Sequence, residues 1–135
     1  MPTDTLYDPL RRKDVAATPE ERVRQWFIER LRDDLGVPVH LMMSEVGMRF
    51  GGKPYRADIL VYGRDGKPLT VVECKRPDVQ LTSETARQAL RYDMVLSVRW
   101  MMLTNGNTTF VFHRNGETFE PCREIPDYET MICLR

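Results

Sequence analysis

Apolar residues first recur with a helical period in TPEERVRQWFIERLRDDLG. Val23, Phe27 and Leu31 return every four residues, Trp26 and Leu35 lie beside the same stripe, and charged residues fill the remaining positions. Thr18 predicts the N-cap, Pro19 fits the first helical position, and Glu21 stands where a capping box needs its acid. Gly36 and Pro38 end this helix. From Val39 to Pro77 the pattern changes to three short strand-like runs, roughly His40 to Phe50, Tyr55 to Tyr62 and Leu69 to Lys75. Turn signals at Gly51-Gly52 and Asp65-Gly66 separate them and predict an antiparallel meander, which Pro77 closes. SETARQALRYDMVLS, Ser83 to Ser97, predicts a second helix long enough to act as a crossover. WMMLT and TTFVFH then read as strands joined through Asn105-Gly106, with another turn at Asn115-Gly116. The order is αβββαββ. A right-handed crossover makes the strands on either side of the second helix parallel, so the expected α/β fold is a mixed central sheet flanked by helices.

Period two along LTVVECKRP puts Val71, Glu73 and Lys75 on one face and Thr70, Val72 and Cys74 on the other. Both faces begin apolar, so an acid and a base lie at the end of a strand that otherwise reads as buried. Burying either charge unpaired costs several kcal/mol. The plain reading is an ion pair between Glu73 and Lys75. The second strand adds Asp58 within RADILVY, on the face opposite Ala57, Ile59 and Val61, where an aspartate is disfavoured. The short Asp65-Gly66 turn pairs the two strands and brings Asp58 towards Glu73. Facing carboxylates repel unless a cation lies between them, and hard oxygens with room for water suit Mg2+ or Mn2+, with the backbone carbonyl of Cys74 as a further ligand. Lys75 would then stabilise charge on a phosphate while the ion activates water. This is a phosphodiesterase constellation. Its rival is a buried ion-pair cluster that fixes strand register.

Length and charge constrain the partner. A chain of 135 residues is expected to form a single domain, with residues 1–17 as an N-terminal extension and 121–135 as a tail without assigned structure. Twenty basic and twenty acidic residues cancel, so contact with nucleic acid must rest on a local basic surface. Three scattered cysteines, Cys74, Cys122 and Cys133, offer no disulfide framework or zinc spacing. The N-terminus lacks a secretory pattern, and no apolar run approaches the roughly 20 residues that span a bilayer, so the expectation is a cytoplasmic protein without a membrane.

Taken together, YDPLRRKDVAATPEERVRQWF, RADILVY, GKPLTVVECKRP, the helix containing Gln88 and Tyr92, and MMLTNG resemble the PD-(D/E)XK nuclease superfamily. Within it they resemble the N-terminal nuclease domain of type I restriction enzyme R (motor) subunits, including short stand-alone relatives. The resemblance implies a restriction-endonuclease-like fold, with Asp58 and Glu73 as metal ligands and Lys75 as the catalytic lysine. It also matches Gln88 and Tyr92 to a Gln-x-x-x-Tyr motif, whose spacing places both on one helix face. Glu21 resembles the first-helix acid that completes such sites, and competes there with its capping role; Glu45 is an alternative. Ala57 replaces the proline that normally precedes the aspartate, at a position that does no chemistry.

The expected function is magnesium-dependent endonucleolytic hydrolysis of DNA, in restriction or DNA processing. Lys53, Arg56, Arg87 and Arg91 are the expected phosphate contacts, with Arg11, Arg12 and Lys13 as a further basic stretch. The sequence has no Gly-x-x-x-x-Gly-Lys loop, so ATP-driven translocation is not expected. A homodimer is compatible with one proposed site on a small domain. The rival function is a non-catalytic DNA-binding or protein-interaction module that retains the nuclease fold.

Overall fold

The computed structural model describes residues 4–50, 52–93 and 97–134, and for residues 48, 50 and 91–93 the backbone alone. Residues Thr5–Asp8 (β1) and Lys13–Ala16 (β2) pair antiparallel as a separate hairpin. Helix α1 follows, Pro19–Glu29, and continues as a single π-helical turn over Arg30–Asp34. Thr18 caps α1 by accepting the Glu21 N–H at 3.1 Å. The capping box is only half formed, because the Thr18 N–H donates to the Ala16 carbonyl and the Glu21 carboxylate is taken by arginines.

Six strands form the main sheet in the order β3-β4-β5-β6-β7-β8: Met42–Phe50, Lys53–Tyr62, Pro68–Cys74, Trp100–Thr104, Thr109–Asn115 and Thr118–Cys122. Every neighbouring pair is antiparallel except β5 and β6, which helix α2 (Ser83–Asp93) connects in parallel. The mixed sheet thus has the expected topology. Its turns sit where glycine tolerates a left-handed backbone, with φ of 80° at Gly66 and 91° at Gly106. Ser97 also has a left-handed φ, 56°, so the second helix does not extend through it as its composition predicted.

The segments at both ends of the chain add elements that periodicity did not reveal. β1 and β2 are only four residues long, and β8 contains Pro121, which an edge strand tolerates because its missing donor need not serve a ladder. The last helix, α3 (Tyr128–Cys133), is capped by Asp127. It packs in the core through Tyr128 and Met131, and the Tyr128 hydroxyl donates to the Tyr62 carbonyl at 2.8 Å.

The sheet separates two apolar clusters. Beneath α1 and α3, Val23, Phe27, Ile28 and Leu31 meet Ile59, Val61, Val72 and Met102. Beneath α2, Ala86 meets Leu60, Val71, Met101 and Leu103. Burial of these side chains contributes roughly 1.5–3 kcal/mol each against the entropy of ordering them. Among the described residues, no helix is long and apolar enough to cross a membrane.

Candidate active site

Asp58 lies where two strands part. The β4–β5 ladder runs from Tyr62↔Pro68 to Ile59↔Val72, and its pairing stops there. Asp58 and Glu73 occupy the next position on their respective strands. The Asp58 carboxylate itself accepts the Cys74 N–H, with Oδ2 2.7 Å from the nitrogen. On its other edge β5 stays paired: Cys74 faces Thr104 of β6, and the Lys75 N–H donates to the Thr104 carbonyl at 2.8 Å. One edge of β5 is therefore fixed while the other opens at the acidic position.

The local chain geometry explains why Asp58 can turn into this fork. The expected alternation puts Ala57 with Ile59 and Val61, but Ala57 joins the cluster beneath α2 while Ile59 and Val61 join the one beneath α1. The alternation breaks opposite Glu45, which lies between the pairs Ser44↔Ile59 and Val46↔Ala57. Glu45 has a φ of 55°, uncommon for a residue with a side chain. Its carboxylate is held on both oxygens, by Arg24 at 2.6 Å and by Arg56 at 2.9 Å, which offsets the cost of that backbone.

On the α1 side, carboxylates converge on one buried guanidinium. Arg24, 5% exposed, reaches Glu21 at 3.0 Å, Glu45 at 2.6 Å and Asp58 at 3.1 Å, with Glu20 at 3.7 Å. Burial works against the Arg24 charge, but Asp58, Glu21 and Glu45 outweigh it and raise its pKa. The network extends outwards: Arg11 reaches Glu21 at 2.5 Å and also binds Asp8, which is fully buried and accepts the Ser44 hydroxyl at 3.1 Å. Burial tends to raise the Asp8 carboxyl, yet the Arg11 guanidinium and the N–H groups of Leu10 and Arg11 hold it below its usual value. The β1–β2 hairpin is thereby tied to the helix that carries Arg24.

The α2 side holds the other half of the expected set. A cleft of about 310 Å³ is lined by Tyr55, Arg56, Glu73, Lys75, Thr85 and Gln88. The Tyr55 hydroxyl donates to Glu73 Oε1 at 3.2 Å. Lys75 and Gln88 are exposed at the cleft, so a polymeric ligand has access to them. The halves meet electrostatically at Glu20: burial and then the Asp58 carboxylate raise its pKa, while Arg24 and Lys75 oppose the shift. The Cys74 thiol is pushed well above its usual range by burial, with Asp58 adding to the effect. It is therefore no thiolate nucleophile.

The expected residues thus divide. Glu73, Lys75 and Gln88 share the cleft with Arg56, whereas Asp58 and Glu21 are joined through Arg24. The side chains of Tyr92 and Arg91 lie outside the described residues. Arg87 is exposed and paired with Glu84 at 3.1 Å, and Lys53 is exposed near the β3–β4 turn. Sequence reasoning missed Arg24, Tyr55, Asp8 and Glu20. Arg24 did carry a signal, since it lies three residues after Glu21 and beside Val23, at the margin of the apolar stripe.

The donor chemistry bears on whether a metal suits this place. Among the described residues, no three His, Cys, Asp or Glu side chains gather as a ready-made metal cluster. Magnesium does not require one, because it binds through one or two carboxylates and keeps water or phosphate oxygens elsewhere. Asp58, Glu73 and the Cys74 carbonyl are hard oxygen donors at adjacent positions of the fork, beside a cleft with room for water. In that sense the residues fit a magnesium or manganese ion.

Comparison with known proteins places this geometry in context. Residues 19–126 match the family model described as type I restriction enzyme R protein N terminus. The chain resembles a fragment structure described as an HsdR subunit of a type I restriction enzyme from Vibrio vulnificus YJ016, with a TM-score of 0.65 at 18% identity. The match covers 87% of this chain and 25% of that one, so the chain spans about a quarter of the Vibrio structure. It also resembles a DUF820 protein from Anabaena variabilis ATCC 29413 described as a nuclease, with a TM-score of 0.50 at 16% identity, covering 92% of this chain and 80% of that one. These likenesses establish a shared restriction-endonuclease-like architecture. No curated protein matches the sequence.

Proposed function

The chain belongs to the family of type I restriction enzyme R protein N-termini, and from that premise we propose that it is a metal-dependent endonuclease that hydrolyses DNA phosphodiester bonds at the β4–β5 fork. The observation that carries this reading is the end of the ladder at Ile59↔Val72, which leaves Asp58 and Glu73 at the next position beside a cleft containing Lys75 and Gln88. Lys75 is exposed on the same face as Glu73 and lines the same cleft, where its ammonium is accessible to a phosphate.

In this mechanism Asp58, Glu73 and the Cys74 carbonyl hold the ion. When bound, magnesium or manganese supplies an activated water and neutralises the scissile phosphate. Lys75 places its ammonium beside the phosphate, where it stabilises the negative charge that develops as the bond breaks. Gln88 orients a phosphate oxygen or the attacking water through its amide, and Tyr92 acts from the same helix. Tyr55 restrains the Glu73 carboxylate through its hydroxyl. Lys53, Arg56, Arg87 and Arg91 contact phosphates without reading bases, and Glu21 acts through Arg24 on Asp58.

The test is DNA cleavage by the wild type, Asp58→Ala and Lys75→Ala with magnesium, with manganese and with chelator. Metal-dependent cleavage that disappears in both variants supports the proposal. Cleavage that persists unchanged in both overturns it, and DNA binding with no cleavage under any condition favours a binding module that retains the fold.

A further inference from the structure

We propose that Arg24 is a built-in counter-cation of the site: it holds Asp58 in the metal-free protein and competes with the divalent ion for the same carboxylate. The inference rests on the metal reading proposed above, in which Arg24 only links Glu21 to Asp58.

The geometry is specific. Arg24 Nη2 lies 3.1 Å from Asp58 Oδ1 and 2.6 Å from Glu45, while Nη1 lies 3.0 Å from Glu21. Asp58 Oδ2 is already committed to the Cys74 N–H at 2.7 Å. Each Asp58 oxygen thus already accepts one N–H, and an ion that binds Oδ1 does so against the repulsion of the guanidinium beside it. The guanidinium has somewhere to remain, because Glu21 and Glu45 still hold it after Asp58 is released. Its Nε is buried without a hydrogen-bond partner among the described residues, so the present arrangement does not saturate its donors.

The charge balance explains why such a cation is built in. Glu20, Glu21, Glu45 and Asp58 crowd one end of the sheet, and without Arg24 their mutual repulsion in a partly buried setting would open the fork. A fixed guanidinium keeps the site assembled before metal arrives and lowers metal affinity by the same interaction. Two ligands that share one carboxylate are coupled negatively, and linkage makes that coupling reciprocal.

The experiment measures Mn2+ binding by electron paramagnetic resonance and melting temperature with chelator or saturating Mn2+, for the wild type, Arg24→Met and Arg24→Lys. Arg24→Met is expected to bind Mn2+ about tenfold more tightly than the wild type, within the usual range of site-to-site coupling. It should melt below the wild type in chelator, with most of that gap closing when Mn2+ is added. Arg24→Lys keeps one charge on a shorter, non-forked donor and should fall between the two; it remains informative if Arg24→Met does not fold without metal. Unchanged Mn2+ affinity in both variants, with the same melting deficit in chelator and in Mn2+, overturns the proposal and leaves Arg24 as a structural ion-pair residue. Absence of Mn2+ binding in the wild type itself overturns the underlying metal reading, an outcome distinct from the previous one because it appears before any substitution is made.

Discussion

Asp58, one residue beyond the last paired position of β4 with β5, accepts at 2.7 Å the backbone N–H of Cys74, two residues beyond it on β5. A side chain here terminates a ladder, so Asp58 has a structural duty in addition to any chemical one. Asp58→Ala is expected to leave the Cys74 amide and one side of Arg24 without this partner, at a cost on the order of 1–3 kcal/mol. Asp58→Asn keeps an acceptor and should recover part of that loss. Urea unfolding of the two variants separates the effects, and neither should retain metal-dependent cleavage.

Lys75 should behave in the opposite way. Its side chain is exposed at the cleft, so Lys75→Ala is expected to change unfolding free energy by no more than about 0.5 kcal/mol. Cleavage should nevertheless fall by at least ~100-fold if the ammonium stabilises charge at the phosphate. A variant that is both stable and fully active would remove Lys75 from the mechanism.

Salt dependence tests the basic residues near the cleft. Lys53→Ala and Arg56→Ala should each weaken DNA binding across unrelated sequences and lower the slope of log affinity against log salt by about one. The Arg56 effect should be the less clean, because Arg56 also holds Glu45 at 2.9 Å. Unchanged slopes in both variants would place the DNA elsewhere.

The Asp8 network predicts a stability profile with a definite sign. Because the folded state holds the Asp8 carboxyl below its usual value, its contribution is fully present above the unfolded pKa and is lost as pH falls through the folded one. Asp8→Asn should cost on the order of 2 kcal/mol at neutral pH, with the gap to the wild type narrowing below the ordinary aspartate range. Glu20 is shifted upwards, so its ionisation opposes folding and acidification relieves that cost. Comparing Asp8→Asn with the wild type at each pH cancels the Glu20 effect. Parallel curves down to low pH would contradict the assigned shift.

Much of the fold was legible because local spacing carries it. The four-residue recurrence of Val23, Phe27 and Leu31 marked α1, the turns at Asp65-Gly66 and Asn105-Gly106 marked two hairpins, and period two along β5 placed Val71 and Val72 on opposite faces. The sequence also put Glu73 and Lys75 on the face that lines the cleft. It gave no comparable signal for β1, β2 and α3, whose four to six residues are too few to show a period. Tertiary structure alone decided how the charges partner. Alternation predicts which face a side chain takes only while the backbone stays regular, and it breaks at Ala57 and Asp58 opposite the left-handed Glu45. Ion pairs such as Arg24 with Asp58, 34 residues apart, depend on how a helix lies against a sheet. Residue spacing fixes the period of each element, whereas the packing of elements against one another fixes which charges meet.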